Sequence, residues 1–261
     1  MTNNMNYEVI IIGGSYAGLA AAMAFGRAMR KVLVIDDGKP CNRQTPHSHN
    51  FLTNDGNTPA EIAAVAKLQL NRYDTVKVMD ALAIQGSKTA NGFQIVTNAG
   101  EIFSAKRLIF ATGIKDLHPA IDGFAACWGI SVIHCPYCHG YEVRHEKTGI
   151  LWNGVMDFDF AALISNWTKD LIIFSNGLSM LNDEQREKLQ YYNIGIVEKE
   201  VKRLEHNKGQ LQQIIFKDGT SFSLGVLYAP RPFEQHCKIP EALGCALTGE
   251  GYIQIDSAQE T

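Results

Sequence analysis

Apolar positions fall into the same order twice along this chain. Tyr7–Ile12 (YEVIII) is a short apolar run, which predicts a buried strand. A glycine-rich turn follows, then an alanine-rich helical stretch to about Met29 and a second apolar run, Lys31–Ile35. This is a βαβ unit with a glycine-rich first turn. Thr58-Pro59-Ala60-Glu61 has the form of a capping box with proline at the first helical position, so a helix is expected to run to about Tyr73. Thr75–Asp80 reads as a strand. Short strands then alternate with turns at Asn91-Gly92 and Ala99-Gly100, up to Arg107–Phe110. The second half repeats the scheme. Strands are expected at Thr148–Trp152, Leu171–Phe174 and Ile194–Val197, helices at Phe158–Trp167 and Asp183–Tyr191, and a hairpin near Asn207–Gly209 and Asp218-Gly219. A βαβ unit followed by a β-meander, occurring twice, predicts an α/β fold with two related, Rossmann-like nucleotide-type domains. Proline and polar residues cluster at Ile114–Pro119 and Ala229–Pro232, the expected hinges.

Composition narrows the class. The 261 residues are 46% apolar and 20% charged, as in soluble globular chains. A net charge of -3 gives no reason to expect nucleic acid or an anionic membrane as partner. No apolar run reaches the roughly 18 residues that would span a bilayer. The N-terminal residues lack a basic region, so no secretory signal and a cytoplasmic location are expected. There the six cysteines should mostly be reduced. Cys41, Cys127, Cys237 and Cys245 are scattered and read as buried thiols.

The first turn carries chemistry. A dinucleotide site needs a tight turn, close backbone approach to the pyrophosphate and a helix N-terminus aimed at the phosphates. Gly13 and Gly18 fill the first and third glycine positions of G-x-G-x-x-G, with Ser15 at the second. Asp36 closes the second strand, where a carboxylate can accept from ribose hydroxyls. The alternative is a tight strand–helix turn without a ligand. The equivalent turn of the second half, Trp152–Asp157, keeps only Gly154. Trp152 is expected to crowd it, and Asp157 puts a negative charge where phosphate should lie. No arginine follows the next strand to meet a 2′-phosphate, so this half argues against NAD(P)H binding.

Cys135 and Cys138 form the one close cysteine pair, within His134-Cys-Pro-Tyr-Cys-His-Gly-Tyr-Glu142. A thiolate is the reactive species in disulfide exchange, and a C-x-x-C at a helix start lowers the pKa of one sulfur. His139 adds a positive charge or a general base according to its protonation, and Glu142 can orient it. Cys138, nearer the body of the domain, reads as the sulfur facing a redox partner, and Cys135 as the one meeting substrate. Three rivals stand beside this redox reading. C-x-x-C-H is also the haem-attachment pattern, but no axial methionine is evident. A zinc site would need further ligands at finger spacing, which are missing. Two inert buried thiols are the third.

Taken in order, Ile10–Gly18, Lys39–Arg43, His47–Phe51, Phe110–Gly113 and His134–Glu142 resemble the low-molecular-weight thioredoxin reductase family of flavoproteins. The likeness covers essentially the whole chain. It is similar to the branch with C-P-[YF]-C-H-G-Y-E, which includes bacterial thioredoxin-reductase-like oxidoreductases and fungal dithiol oxidases of the gliotoxin type. The resemblance implies FAD on a first domain, 1–116 with 231–261. It implies a three-layer second domain, 117–230, inserted into the first and carrying the thiol pair. It also implies a homodimer and a rotation between domains. Gly13, Ser15, Ala17 and Gly18 would meet the pyrophosphate and Asp36 the adenosine ribose. Thr112 and Gly113 would lie near the adenine half, and the Arg43–Asn50 segment, with Arg43, His49 and Asn50, near the flavin. His139 stands where other members have the aspartate that donates a proton to the leaving thiolate.

The chain departs from the family in its second nucleotide turn and in stopping at Thr261, before an expected G-[VI]-[FY]-A-x-G-D motif and final helix. Loss of that segment would remove about a quarter of the FAD contacts and, at roughly 25 cal/mol per Å2, several kcal/mol of burial. Two functions follow as expectations. One is an FAD-dependent thiol–disulfide oxidoreductase that exchanges electrons between flavin and Cys135–Cys138, with a protein or small-molecule disulfide or dithiol as partner and the direction open. The other is a catalytically impaired, flavin-poor relative that serves binding or dimerisation.

Overall fold

The computed structural model describes residues 6–152 and 158–261. They divide into two compact units. One comprises the chain up to Arg43, Pro59–Asp116 and Phe233–Thr261; the other comprises Gln44–Thr58 and Leu117–Pro232. Residues 44–58, which the sequence places in the first domain, group with the second unit. The reason is visible in their contacts: Gln44 Nε2 donates to the Ala125 carbonyl at 3.2 Å, and His49 lies 3.6 Å from Glu142.

The first unit contains β1 (Asn6–Ile12), α1 (Tyr16–Arg27), β2 (Val32–Asp36), α2 (Pro59–Leu70), β3 (Val76–Asp80), β4 (Ala83–Thr89), β5 (Gly92–Thr97), β6 (Ile102–Phe110) and β7 (Ile114–Asp116). Its main sheet runs β3-β2-β1-β6-β5-β4, parallel from β3 to β6 and antiparallel through β5 and β4. Val9 and Ile11 of β1 bury against Leu19 of α1 and Leu70 of α2. Ile10 and Ile12 face the opposite way, into a core with Ile95 and Phe103 of the meander. Both faces of β1 are covered, which explains its unbroken apolar run. Helix α1 stops two residues short of its expected end, and the chain turns at Met29, whose φ is 59°.

The second unit contains α3 (Phe124–Cys127), β8 (Val132–Ile133), α4 (Pro136–His139), β9 (Thr148–Leu151), α5 (Phe158–Ile164), β10 (Leu171–Phe174), α6 (Asp183–Tyr191) and β11 (Gly195–Val197). It continues with β12 (Val201–Asn207), β13 (Gln210–Phe216), β14 (Ser221–Ser223) and β15 (Val226–Tyr228). Its parallel sheet has the order β11-β10-β9-β15-β8, and β12-β13-β14 form an antiparallel meander. Ile150 packs under Ala161, Ile164 and Leu189 of the helices, while Leu151, Phe174 and Leu227 pack against Leu204 and Ile214 of the meander. The architecture of the first unit is thus repeated: α/β, with two Rossmann-type units and the sequence of the second running within that of the first. Helix α6 opens with a capping box, Asn182 accepting from the Gln185 amide and Gln185 from that of Asn182, a signal the sequence reading did not mark.

The chain returns to the first unit through β16 (Phe233–Gln235) and α7 (Ile239–Ala242). β16 pairs antiparallel with β7, and the Leu117 amide donates to the Pro232 carbonyl at 2.8 Å. The first expected hinge therefore contains β7, and its partner β16 begins directly after the second. Cys127 is buried as expected and Cys237 and Cys245 are half-buried, but Cys41 is exposed, because it sits in a turn after β2 rather than in a strand or helix. Among the described residues no helix is long and apolar enough to cross a membrane.

Candidate active site

The glycine turn of the first unit is built by close packing. Gly13 has φ 103°, and a Cβ there would lie 2.3 Å from the Ala111 carbonyl oxygen; one at Gly18 would lie 1.9 Å from that of Gly13. Only glycine permits this turn against the end of β6, and Thr112 is thereby held beside it. Gly14 donates its amide to Asp36 Oδ1 at 3.0 Å, joining the ends of β1 and β2. Asp36 Oδ2 also meets Lys67 Nζ of α2 at 3.4 Å, a partner the sequence reading missed. Ser15 stands at the N-cap of the twelve-residue α1 in extended conformation, and its side chain makes no capping hydrogen bond. Ala17, in the first turn, is exposed.

These residues fit a dinucleotide. The helix start is not closed by its own N-cap side chain, the backbone is bare of side chains at the turn, and the Asp36 carboxylate keeps acceptor capacity beyond its two partners. Gly113 accepts from the His236 amide at 3.4 Å, and Arg43 is exposed with its guanidinium on the Pro40 carbonyl at 3.2 Å. His49 and Asn50 are not part of this unit; they belong to the 44–58 segment, where the Asn50 amide donates to Asp55 Oδ1 at 2.8 Å.

The thiol pair sits in the second unit where β8 passes into α4. Cys135 and Cys138 form a disulfide with their Cα atoms 5.3 Å apart. Cys135 is the N-cap of α4, Pro136 pre-sets the first helical φ, and the Cys138 amide donates to Cys135 Sγ at 3.2 Å. Gly140 ends the turn closely packed: a Cβ there would meet the Pro136 carbonyl oxygen at 2.5 Å and the Trp167 indole at 3.0 Å. His134, the residue before Cys135, stacks on Trp128 with ring centroids 5.4 Å apart. Tyr137, between the cysteines, is exposed and stands edge-on to Trp167 at 5.7 Å.

His139 is half-buried beside the disulfide. Burial first, and then the charge of His134, push its imidazole below the ordinary value; Glu142 acts in the opposite sense and His49 adds a smaller push downward. His139 is therefore disposed to be neutral, a proton acceptor, near pH 7. Behind it His49 lies between two carboxylates, with Nδ1 3.6 Å from Asp55 Oδ1 and Nε2 3.6 Å from Glu142 Oε1. The buried Tyr228 hydroxyl of β15 is held protonated by burial and by the charge of Glu142.

The second nucleotide turn can be followed only at its start. Gly154 and Asp157, on which the argument against NAD(P)H partly rested, lie outside the described residues. Trp152 continues the sheet through its amide, which donates to the Phe174 carbonyl at 3.0 Å, and its ring packs on Phe160 of α5 at 6.3 Å.

Residues 7–261 match the family model described as pyridine nucleotide-disulphide oxidoreductase. The chain is 30% identical to a probable thioredoxin reductase of Arthroderma benhamiae over 92% of its own length and 67% of the relative's. It is 34% identical to thioredoxin reductase tcpT of Claviceps purpurea over 70% of its length and 60% of that protein's. The chain thus spans about two thirds of the length of these curated relatives. An oxidoreductase structure from Agrobacterium tumefaciens superposes with a TM-score of 0.91 at 33% identity, over 98% of this chain and 86% of that one. Relatives that carry the names of reductases do not favour the catalytically silent alternative.

Proposed function

The chain belongs to the pyridine nucleotide-disulphide oxidoreductase family, and we propose that it is an FAD-dependent thiol–disulfide oxidoreductase of the thioredoxin reductase type. The observation that carries this reading is the Cys135–Cys138 disulfide at the start of α4 with the half-buried His139 beside it. Gly13, Ser15, Ala17 and Gly18 would hold the FAD pyrophosphate, Asp36 the adenosine ribose, Thr112 and Gly113 the adenine half, and Arg43 would serve the flavin half. Bound FAD supplies a two-electron carrier able to exchange electrons with the thiol pair.

The chain's own residues account for the exchange with substrate. An arriving dithiol gives one proton to neutral His139, and its thiolate attacks Cys135 Sγ. The Cys135–Cys138 bond breaks, a mixed disulfide forms on Cys135, and Cys138 leaves as a thiolate. The second substrate thiol then gives its proton to the Cys138 thiolate and attacks the substrate sulfur of the mixed disulfide, freeing Cys135 as a thiolate. The substrate leaves as a disulfide, and the pair holds its two electrons. Run backwards, the same steps reduce a disulfide, with protonated His139 supplying the proton to the leaving thiolate. The substrate class is a protein or small-molecule disulfide or dithiol.

The same reading makes the protein a cytoplasmic homodimer. Four cysteines stand as free thiols, in keeping with a reducing compartment, and the family resemblance carries the dimer.

The test is the visible absorbance of the purified protein, followed by anaerobic mixing with NADPH, NADH and a dithiol in turn. Flavin absorbance that bleaches with at least one donor is expected. A folded protein that stays colourless after incubation with FAD overturns the reading. Bleaching by dithiol but not by nucleotide establishes the oxidase direction.

A further inference from the structure

His49 is held in place by its loop. His47 Nδ1 lies 2.9 Å from the Gly56 carbonyl, the Gly56 amide donates to the Ser48 carbonyl at 2.9 Å, and the Ser48 amide to that of Asn57 at 2.8 Å. These contacts, with the Asn50 amide on Asp55 Oδ1, close the loop on both sides of His49, whose side chain is 21% exposed while that of its partner Asp55 is 66% exposed. Its other ring nitrogen meets Glu142, three residues beyond His139 and 93 positions from His49 in the chain. Both ring nitrogens thus lie 3.6 Å from carboxylate oxygens.

The geometry points to His49 as a positioning residue for the thiol pair: by holding the Glu142 carboxylate against the 44–58 loop, it sets how readily His139 takes up a proton. The inference rests on the reading of His139 as the proton carrier of the Cys135–Cys138 exchange.

The charges that act on His139 are those of His134 after β8, Glu142 in the turn after α4, and His49 in the loop. Asp55 lies 3.6 Å from His49, and the Glu142 charge also acts on the Tyr228 hydroxyl of β15. The Trp167 indole closes the side at Gly140. Of these, Glu142 alone favours the protonated form of His139. While His49 pairs with Glu142, part of that negative charge is compensated. Without His49, Glu142 acts on His139 at full strength, and a charge that disfavoured the imidazolium is gone as well. Both changes have the same sign: His139 binds its proton more tightly, and the base needed to deprotonate an arriving thiol becomes scarcer near neutral pH.

The experiment is an NMR titration of the full chain with 13C-labelled histidine, the His139 resonance being identified by its loss in His139→Gln. His49→Gln is expected to raise the His139 titration midpoint by about half a pH unit, the scale of one partly screened charge. Glu142→Gln is expected to lower it, and His49→Gln in the Glu142→Gln background to shift it by less than half as much as alone. The pH dependence of Cys135–Cys138 reduction by dithiothreitol, read by thiol labelling, should move upward with the midpoint in His49→Gln. A His139 midpoint unmoved by His49→Gln, or moved equally in both backgrounds, overturns the proposal. Should His49→Gln fail to fold, Glu142→Gln still decides: a midpoint that does not fall overturns it. A wild-type disulfide that dithiothreitol cannot open would instead overturn the thiol–disulfide function itself, so the two failures are distinct.

Discussion

The Cys138 amide donates a hydrogen bond to Cys135 Sγ at 3.2 Å. The contact places the first sulfur, not the second, at the N-cap of α4. When the pair opens, that amide is ready to hold a charged acceptor, and a hydrogen bond to a charged group contributes roughly 1.5–3 kcal/mol. A Cys135 thiolate is accordingly the one this amide would stabilise in the reduced pair. In a Cys138→Ser variant, the rate of Cys135 alkylation by iodoacetamide should rise at lower pH than that of an ordinary thiol. A midpoint at or above the ordinary value would remove the basis for treating Cys135 as the substrate-facing sulfur.

Cys138→Ser should also leave flavin absorbance intact and abolish its bleaching by dithiol. Cys135→Ser should lose reaction with substrate while keeping the other thiol. Normal dithiol-driven bleaching in Cys138→Ser would refute the assignment of Cys138 to the flavin side.

The glycine turn allows a graded test. Gly13→Ala would force a Cβ to within 2.3 Å of the Ala111 carbonyl oxygen at a backbone φ of 103°. Strain and overpacking together predict a loss of about 2–4 kcal/mol in unfolding free energy and loss of bound flavin. Gly38→Ala is the control: its φ is 71°, but nothing lies within 4 Å of the added atom, so a cost of about 1 kcal/mol is expected. Urea unfolding and flavin content measured on both variants check the contrast. Equal effects would mean that close approach to Ala111 is unimportant.

Asp36→Ala should damage the same turn by another route. It leaves the Gly14 amide without its acceptor at 3.0 Å, which predicts a cost of about 1–3 kcal/mol together with weakened FAD retention. Asp36→Asn keeps an acceptor oxygen and should recover much of the stability. Thermal melts with and without added FAD would reveal a failure of this ordering.

Acid stability should depend on the ion pairs of the second unit. Hydrogen bonds from Ser179 and from Arg186 lower Glu198 from 4.5 to about 2, and Lys199 with Thr220 lowers Asp218 from 3.8 to about 2. Both folded values are depressed. Their stabilisation is therefore full above the unfolded values, near 4.5 and 3.8, and is lost as pH falls through about 2. Arg186→Met should flatten the fall of melting temperature across that window. An unchanged slope would show that the Glu198 pairing contributes nothing to acid stability.

Elements whose cause is local were legible in the sequence. The Gly13 turn announces itself because only glycine accepts its φ, and β1 because both of its faces are covered. The pair Cys135–Cys138 and its helix start were equally plain. What escaped depends on contacts between distant positions. Nothing in the polar, proline-containing run 44–58 has a period, and its attachment to the second unit rests on Gln44 reaching Ala125 and His49 reaching Glu142. Nothing in the sequence sets Lys67 apart from other charges on α2, yet it ends beside Asp36. The capping box at Asn182 and Gln185, by contrast, was within reach of sequence reading, since asparagine followed three positions later by glutamine is its signature.

β7 and β16 lie side by side, and Leu117 is bonded to Pro232 at the step beyond them. A stretch of chain that leaves and rejoins its host through one paired neck is, in genetic terms, a cassette. Insertion or replacement there disturbs two adjacent strands and leaves the order of the host sheet untouched. The redox motif travels inside that cassette, whereas the glycine turn stays with the host. Segment 44–58 is the exception, a host-encoded piece that must match whatever cassette is present, and chimaeras between family members should therefore exchange it together with 117–232.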